Sequence, residues 1–235
     1  MTAGRPRRRK HVDDVLRRAA LFAALDDEQA GELRASMTEV TLARGESLFH
    51  EGDPGDRLYV VAEGKVKLHR ASPDGRENML AVLGPSEMIG ELSLFDPGPR
   101  TATASALTEV KLLGLGHGDL QPWLHARPEV SIALLRAIAR RLRRTNDVMS
   151  DLVFSDVPGR VAKALLDLSR RFGVQSDEGI HVAHDLTQEE LAQLVGASRE
   201  TVNKALADFA GRGWLKLEAR AVVLMDVERL SRRSR

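Results

Sequence analysis

Between about Thr38 and Leu115, apolar and polar residues alternate over short runs, the period-two signature of strands with one buried face. Thr41–Phe49, Arg57–Ala62, Val66–Arg70, Met79–Leu83, Thr101–Ala106 and Val110–Leu115 carry it. Turn chemistry divides them at Glu51-Gly52-Asp53-Pro54-Gly55, Glu63-Gly64 and Pro73-Asp74-Gly75. Many short strands with such turns predict a β-roll of jelly-roll type. Before it, residues 11–35 show short helical patterns, with Val12, Val15, Leu16 and Ala19 on one face and Leu25 opening the next segment.

The period then lengthens. From Pro128 to Phe154, the residues Leu135, Ile138, Leu142, Thr145, Met149 and Leu152 recur at alternating spacings of three and four, the seam of a two-stranded coiled coil. Arg136, Arg140, Arg141, Arg143 and Arg144 flank it. Such a helix is about 39 Å long, enough to join two domains and hold a dimer seam. Asp156 suits the N-cap of a new helix with Pro158 in its first turn, so the long helix ends and residues 154–158 form a hinge.

Val161, Ala164, Leu165, Leu168 and Phe172 give that next helix its apolar face, Gly173–Gly179 reads as a loop and Ile180–His184 as a short strand. Thr187-Gln188-Glu189-Glu190 is a capping box that opens a helix with Leu191, Leu194 and Val195 inward. Gly196 turns the chain, Ser198 caps a second helix with Val202, Leu206 and Phe209 buried, and Trp214–Leu217 with Val222–Met225 predicts a hairpin. This is a winged helix-turn-helix, whose second helix enters the DNA major groove. Its outward residues are Arg199, Glu200, Asn203 and Lys204. Arginine grips guanine through two hydrogen bonds, and glutamate accepts from cytosine N4.

The predicted class is therefore α+β: a basic tail over 1–15, a β-roll over 16–125, a coiled-coil dimerisation helix over 126–154 and a winged helix-turn-helix over 155–235. A chain of 235 residues accommodates two domain cores. The net charge of +1 argues neither way on nucleic acid, so any basic surface is local. With no cysteine, disulfides, thiolate metal sites, cysteine-held iron–sulfur clusters and cysteine nucleophiles are excluded. No apolar run approaches the ~20 residues of a membrane span and no signal-peptide region opens the chain, so a soluble, cytoplasmic protein with no membrane partner is expected. Arg5-Pro6-Arg7-Arg8-Arg9-Lys10 is either a nucleic-acid arm or a solvated tail.

Chemistry concentrates between Gly90 and Thr101. Gly90 lets the backbone approach closely and leaves nearby amides to face an anion. Arg100 offers a fork of donors suited to a phosphate, with the Thr101 hydroxyl beside it. Glu91 can accept from sugar hydroxyls. On residue types alone, a structural loop with a surface ion pair and a ligand site stand level.

Gly90-Glu91-Leu92-Ser93, followed by Pro99-Arg100-Thr101, resembles the phosphate-binding cassette of the cyclic-nucleotide-binding domain. Gly52-Asp53-Pro54-Gly55-Asp56, Tyr59-Val60-Val61 and Glu63-Gly64 resemble the first hairpin and glycine turns of the same domain. With Ser198-Arg199-Glu200-Thr201-Val202 added, the chain after about residue 15 resembles the CRP/FNR family of bacterial transcription regulators, in its cyclic AMP receptor branch of actinobacterial type. The resemblance implies that Arg100 and Thr101 bind the cyclic phosphate and Glu91 the ribose hydroxyl. It further implies that Gly90, Leu92 and Ser93 shape the pocket, and that Thr145 and Asn146 meet the adenine across the dimer. In the second helix it implies base contacts from Arg199 and Glu200, and a third from Lys204, which keeps the charge of the family's arginine without its fork. Asn203 stands in place of a glycine of the family, and Thr187 matches a contact to the DNA backbone.

The expected function is that of a homodimeric, cyclic AMP-responsive transcription regulator that is not an enzyme and holds no metal. It reads double-stranded DNA at a near-palindromic operator and meets RNA polymerase by analogy with the family. Ligand shifts the population toward an arrangement that presents both recognition helices. Alternatives within the fold are another effector, weak ligand dependence, or a haem with His50, His69 or His117 as axial ligand by residue type. Outside it stand a nucleotide-binding regulatory subunit with the helix-turn-helix as scaffold, and a nucleotide hydrolase. The seven histidines show no metal-cluster or nucleophile–base spacing for the last.

Overall fold

The computed structural model describes residues 14–72 and 74–234, so Val12, Pro73 and the basic run Arg5 to Lys10 lie outside the described residues. The chain forms two compact units, one taking in the residues up to Arg70 with Ala81–Leu142, the other Ala71–Leu80 with Arg143 onward.

In the first unit, α1 (Asp27–Ala35) leads into two four-stranded sheets. One orders β1 (Thr38–Leu42), β8 (Val110–Gly116), β3 (Arg57–Glu63) and β6 (Met88–Ile89). The other orders β2 (Ser47–Phe49), β7 (Thr103–Ala106), β4 (Val66–Ala71) and β5 (Glu77–Leu83). The run expected as one strand over Thr41–Phe49 is two. Gly45 takes φ +86° and the Glu46 carboxylate accepts from the Ala43 N–H at 2.7 Å, which turns the chain between them. The two-residue β6 is too short to show a period.

Alternation along the strands sends side chains into two cores. Val61, Leu112, Val66, Leu68, Ile89 and Ala104 fill one. Leu58, Val60, Leu113 and Leu115 point the other way, against Leu16, Phe22, Leu33, Val130 and Leu134. The sheet holding β3 is thus covered on both faces, which is why β3 and β8 read as nearly unbroken apolar runs.

After α2 (Leu92–Phe95) in the cassette and α3 (His117–Ala126), α4 runs from Pro128–Phe154. Val130 and Leu134 are fully buried and Ala137 packs on the same core. Leu135, Leu142, Met149 and Leu152 form an exposed apolar stripe, Met149 at 61%, with Ile138 half-buried.

In the second unit, Asp156 caps α5 (Val157–Phe172) by accepting from the Gly159 N–H at 2.9 Å, with Pro158 in the first turn. Ala164 and Phe172, expected inward, are only half-buried, whereas Ala162 and Leu166 are buried. The loop expected over Gly173–Gly179 contains β9 (Gly173–Ser176), paired with β10 (Gly179–Val182), which ends short of the expected His184. β9 lies at the sheet edge with three exposed residues, so it carries no apolar alternation.

Helices α6 (Gln188–Val195) and α7 (Arg199–Gly211) follow. Leu191 and Val195 face in as expected; Leu194 is half-buried and Ala192 takes the inner place. The wing pairs β11 (Leu215–Glu218) with β12 (Ala221–Leu224), and α8 (Val227–Arg233) closes the unit with Leu230 fully buried. Among the described residues no helix is long and apolar enough to cross a membrane.

Candidate functional site

The Glu51–Gly55 turn, read only as a hairpin end, braces the cassette. The Gly52 N–H donates to the Arg100 carbonyl at 2.9 Å and the Arg100 N–H to the Asp53 carbonyl at 2.8 Å, while Pro54 bridges to Pro99. Gly55 lies so close that a Cβ there would meet Ser93 Cβ at 2.5 Å. Gly90 has φ +81°, and a Cβ on it would stand 2.3 Å from Arg100 Nη1. Both glycines are needed for the seat of Arg100.

Arg100 is only 6% exposed. Nη2 donates to the Arg57 carbonyl at 2.8 Å, and Nη1 to Ser93 Oγ at 3.3 Å and the Gly90 carbonyl at 3.4 Å. Ser93 Oγ itself donates to Gly90 at 3.0 Å, so it holds both sides of the seat. The guanidinium lies 4.3 Å from the Phe49 ring centroid. Burial pushes its pKa down, and the charges of Asp56, Asp53 and Glu91 oppose that. Its Nε is buried with no hydrogen-bond partner among the described residues.

Glu91, 3% exposed, gives Oε1 to Arg141 Nη1 at 2.6 Å; its Oε2 is buried without a partner among the described residues. A cleft open to solvent lies between these groups. Phe49, Leu68, Ile89 and Ala102 give it an apolar wall, and Glu91, Ser93, Arg100, Thr101 and Arg141 a polar one. One carboxylate against two guanidiniums leaves the polar wall net positive, suited to an anion that also carries hydroxyls.

The structure thus gathers Gly90, Glu91, Leu92, Ser93, Arg100 and Thr101 around one cleft and adds Arg141, Phe49 and Leu68, which sequence reasoning missed. Arg141 was findable, because Val130, Leu134 and Ala137 repeat at helical spacing and the next turn on that face is 141. Thr145 and Asn146 lie one turn further along α4 and are exposed. Of the histidines weighed as haem ligands, His50 is exposed beside Asp53, and His69 Nε2 bonds Ser105 Oγ at 3.0 Å. His117 is held below the ordinary histidine range, by burial first and by the Arg100 charge second.

The second site is the helix pair. Thr187 Oγ1 accepts from the Glu190 N–H at 3.1 Å and the Glu190 carboxylate accepts back from the Thr187 N–H at 2.9 Å, the expected capping box. Gly196 ends α6 at φ +63°. Ser198 caps α7 by accepting from the Thr201 N–H at 3.2 Å. Val202, Leu206 and Phe209 are buried, leaving Arg199, Glu200 and Lys204 in solvent, with Lys204 Nζ 2.8 Å from Glu200 Oε1. Asn203 is not fully outward. It flanks the buried stripe, half-buried, with Oδ1 turned in and without a partner among the described residues.

The model of the cyclic nucleotide-binding domain matches residues 39–126, and that of the Crp-like helix-turn-helix domain residues 159–233. A "CRP-like cAMP-activated global transcriptional regulator" of Mycobacterium tuberculosis is 55% identical over 224 residues, covering 95% of this chain and 100% of that protein. The chain belongs to the CRP/FNR family of transcription regulators.

Other members agree. The "Cyclic AMP receptor protein" of Thermus thermophilus is 36% identical, over 88% of this chain and 94% of that protein. The structure of FixK2 from Bradyrhizobium japonicum superposes with a TM-score of 0.76 at 26% identity, covering 83% of this chain and 96% of that one. The cleft at Glu91 and Arg100 lies within the stretch matched by the cyclic nucleotide-binding domain, and α6 and α7 lie within that matched by the Crp-like helix-turn-helix domain. The chain is a regulator, not an enzyme. Among the described residues, no cluster of histidine and carboxylates is placed to hold a metal ion.

Proposed function

We propose that the chain is a cyclic AMP-responsive regulator that works as a homodimer on a near-palindromic DNA site. The observation that carries the reading is the pairing of two buried, under-satisfied groups across one cleft. Arg100 has Nε left to donate and Glu91 has Oε2 left to accept. A cyclic phosphate takes the first and a ribose hydroxyl the second, with Thr101 beside the phosphate and Ser93 fixing the guanidinium. The "cAMP-activated" name of the mycobacterial relative supports the same nucleotide.

The exposed stripe Leu135, Leu142, Met149 and Leu152, with half-buried Ile138 in line, is covered by a second copy of α4, as its coiled-coil spacing calls for. In that dimer Thr145 and Asn146 reach the base. The working division is a roll to about 125, a dimerisation helix over 126–154 and the DNA-binding head from 155, joined at Asp156. Arg199 and Glu200 read bases, Lys204 assists, and Thr187 and Ser198 sit against the DNA backbone. Contact with RNA polymerase follows by family analogy, in the cytoplasm.

Calorimetric titration of the purified protein with cyclic AMP, cyclic GMP alongside, tests the ligand. Binding that prefers cyclic AMP and is lost in Arg100→Leu is the expected result. Binding retained in Arg100→Leu removes the cassette from the mechanism, and no binding to either nucleotide assigns the cleft to another effector.

A further inference from the structure

Arg160, in the first turns of α5, uses all three guanidinium nitrogens on backbone carbonyls. Nη1 donates to Ser155 at 2.7 Å, Nε to Val195 at 2.9 Å and Nη2 to Gly196 at 3.2 Å. Ser155 directly follows α4, whereas Val195 and Gly196 end α6 at the turn of the helix-turn-helix. Carbonyls at helix ends lack intrahelical donors and carry the negative end of the helix dipole, so a guanidinium is the natural counterpart. One side chain thereby ties the end of the long helix to the turn that aims α7.

Two neighbouring contacts reinforce the tie. Lys163 Nζ sits 2.7 and 2.6 Å from the two oxygens of Asp151, in the last turn of α4. Leu152 lies on the same turn, close enough to Gly196 that a Cβ there would meet its Cδ2 at 2.8 Å. The ion pair joins the end of α4 to α5, the apolar contact joins it to the turn after α6, and the three-carbonyl clamp from α5 reaches both.

We propose that Arg160, seconded by the Lys163–Asp151 pair, is the positioning residue through which the orientation of α4 reaches the recognition helix. The last turn of α4, α5 and the helix-turn-helix move as one body, and the 154–158 connection is braced, not free. Lysine cannot replace Arg160, because a single ammonium does not span three carbonyls. The inference rests on the reading that cyclic AMP gates DNA binding.

The test uses the full-length protein and a duplex enriched from a random pool by the wild type with cyclic AMP. The quantity read is the ratio of DNA dissociation constants without and with saturating cyclic AMP. In the wild type it is expected within the usual range of coupling, about 5- to 150-fold. Arg160→Gln brings it to within about twofold of one, while cyclic AMP affinity measured without DNA holds. Asp151→Lys also lowers the ratio, and the charge swap D151K/K163D restores it. A wild-type ratio in Arg160→Gln overturns the inference. Should that variant fail to fold, Asp151→Lys and the swap decide: recovery in the swap supports the clamp, and an undiminished ratio in Asp151→Lys overturns it. A wild type indifferent to cyclic AMP overturns the gating reading itself, and the inference with it, before any variant is made.

Discussion

Arg141 Nη1 donates to Glu91 Oε1 at 2.6 Å, so one oxygen of the pocket's buried carboxylate is committed to α4, and the other is buried with no hydrogen-bond partner among the described residues. The pair links the cassette to the part of α4 that packs on the roll. The Arg141 side chain is one-third exposed while that of Glu91 is nearly closed off from water, so the two ends depend on the pair unequally.

Removing the guanidinium strands a buried carboxylate. Arg141→Ala should therefore destabilise the protein by about 1–3 kcal/mol. Glu91→Gln should cost less, because an amide needs no counter-charge. The double variant should recover part of the Arg141→Ala loss, giving a coupling of at least about 0.5 kcal/mol. Urea unfolding of the four proteins measures it, and strictly additive costs would show the contact to be energetically idle.

Gly90→Ala should cut nucleotide affinity by about tenfold or more, since the loss of one charge-assisted hydrogen bond is worth about 1.5–3 kcal/mol. The new Cβ falls 2.3 Å from Arg100 Nη1 and 3.0 Å from the Arg57 carbonyl, so the guanidinium must leave its seat. Gly98→Ala is the control: its nearest neighbour is the Asp96 carbonyl at 3.8 Å, and affinity should be unchanged. Calorimetric titration of both separates a seat for Arg100 from a general intolerance of the loop.

These two sites also show what the chain discloses by itself. Gly90 to Thr101 is legible because its chemistry is contiguous, and the caps Asp156, Thr187 and Ser198 are legible because each is a local bond between near neighbours. Arg141 is hidden among five arginines of one helix, and only the buried spacing of Val130, Leu134 and Ala137 tells it from the others. Phe49 and Leu68 read as plain strand residues; they share one cleft only because β7 pairs with both β2 and β4, a long-range register no local pattern carries. β9 and α8 escaped for a related reason. Each is short and offers at most two apolar residues, too few to set a period.

His117 should make stability fall on mild acidification. Burial holds its pKa below 6.5 first, the Arg100 charge adds to that, and Asp56 opposes both. Above pH 6.5 the folded and unfolded chains are both neutral at this residue, and its contribution is complete. As pH falls below 6.5 the unfolded chain takes up a proton that the folded chain resists, so stability declines until the folded pKa is passed. Thermal unfolding of the wild type and His117→Gln between pH 8 and pH 5 reads this, and the variant should lose less over the acid half. Parallel curves would assign the acid loss to other groups.

On DNA, Arg199 and Lys204 should fail in different ways. Arg199 heads α7 beside its cap, exposed, with a planar fork that matches one guanine edge, so Arg199→Ala should cost about 1–3 kcal/mol and relax discrimination at one base pair. Lys204 holds the Glu200 carboxylate at 2.8 Å. Without it, that carboxylate approaches a polyanion with no counter-charge and loses its aim toward cytosine N4. Lys204→Ala should therefore weaken binding to every duplex and blur the base read by Glu200, and Glu200→Ala in the Lys204→Ala background should add little. Competition across a panel of singly substituted duplexes at two salt concentrations separates the outcomes. A flat loss for Arg199→Ala, with a salt slope reduced by about one, would mark it as a phosphate contact and move base reading elsewhere on α7.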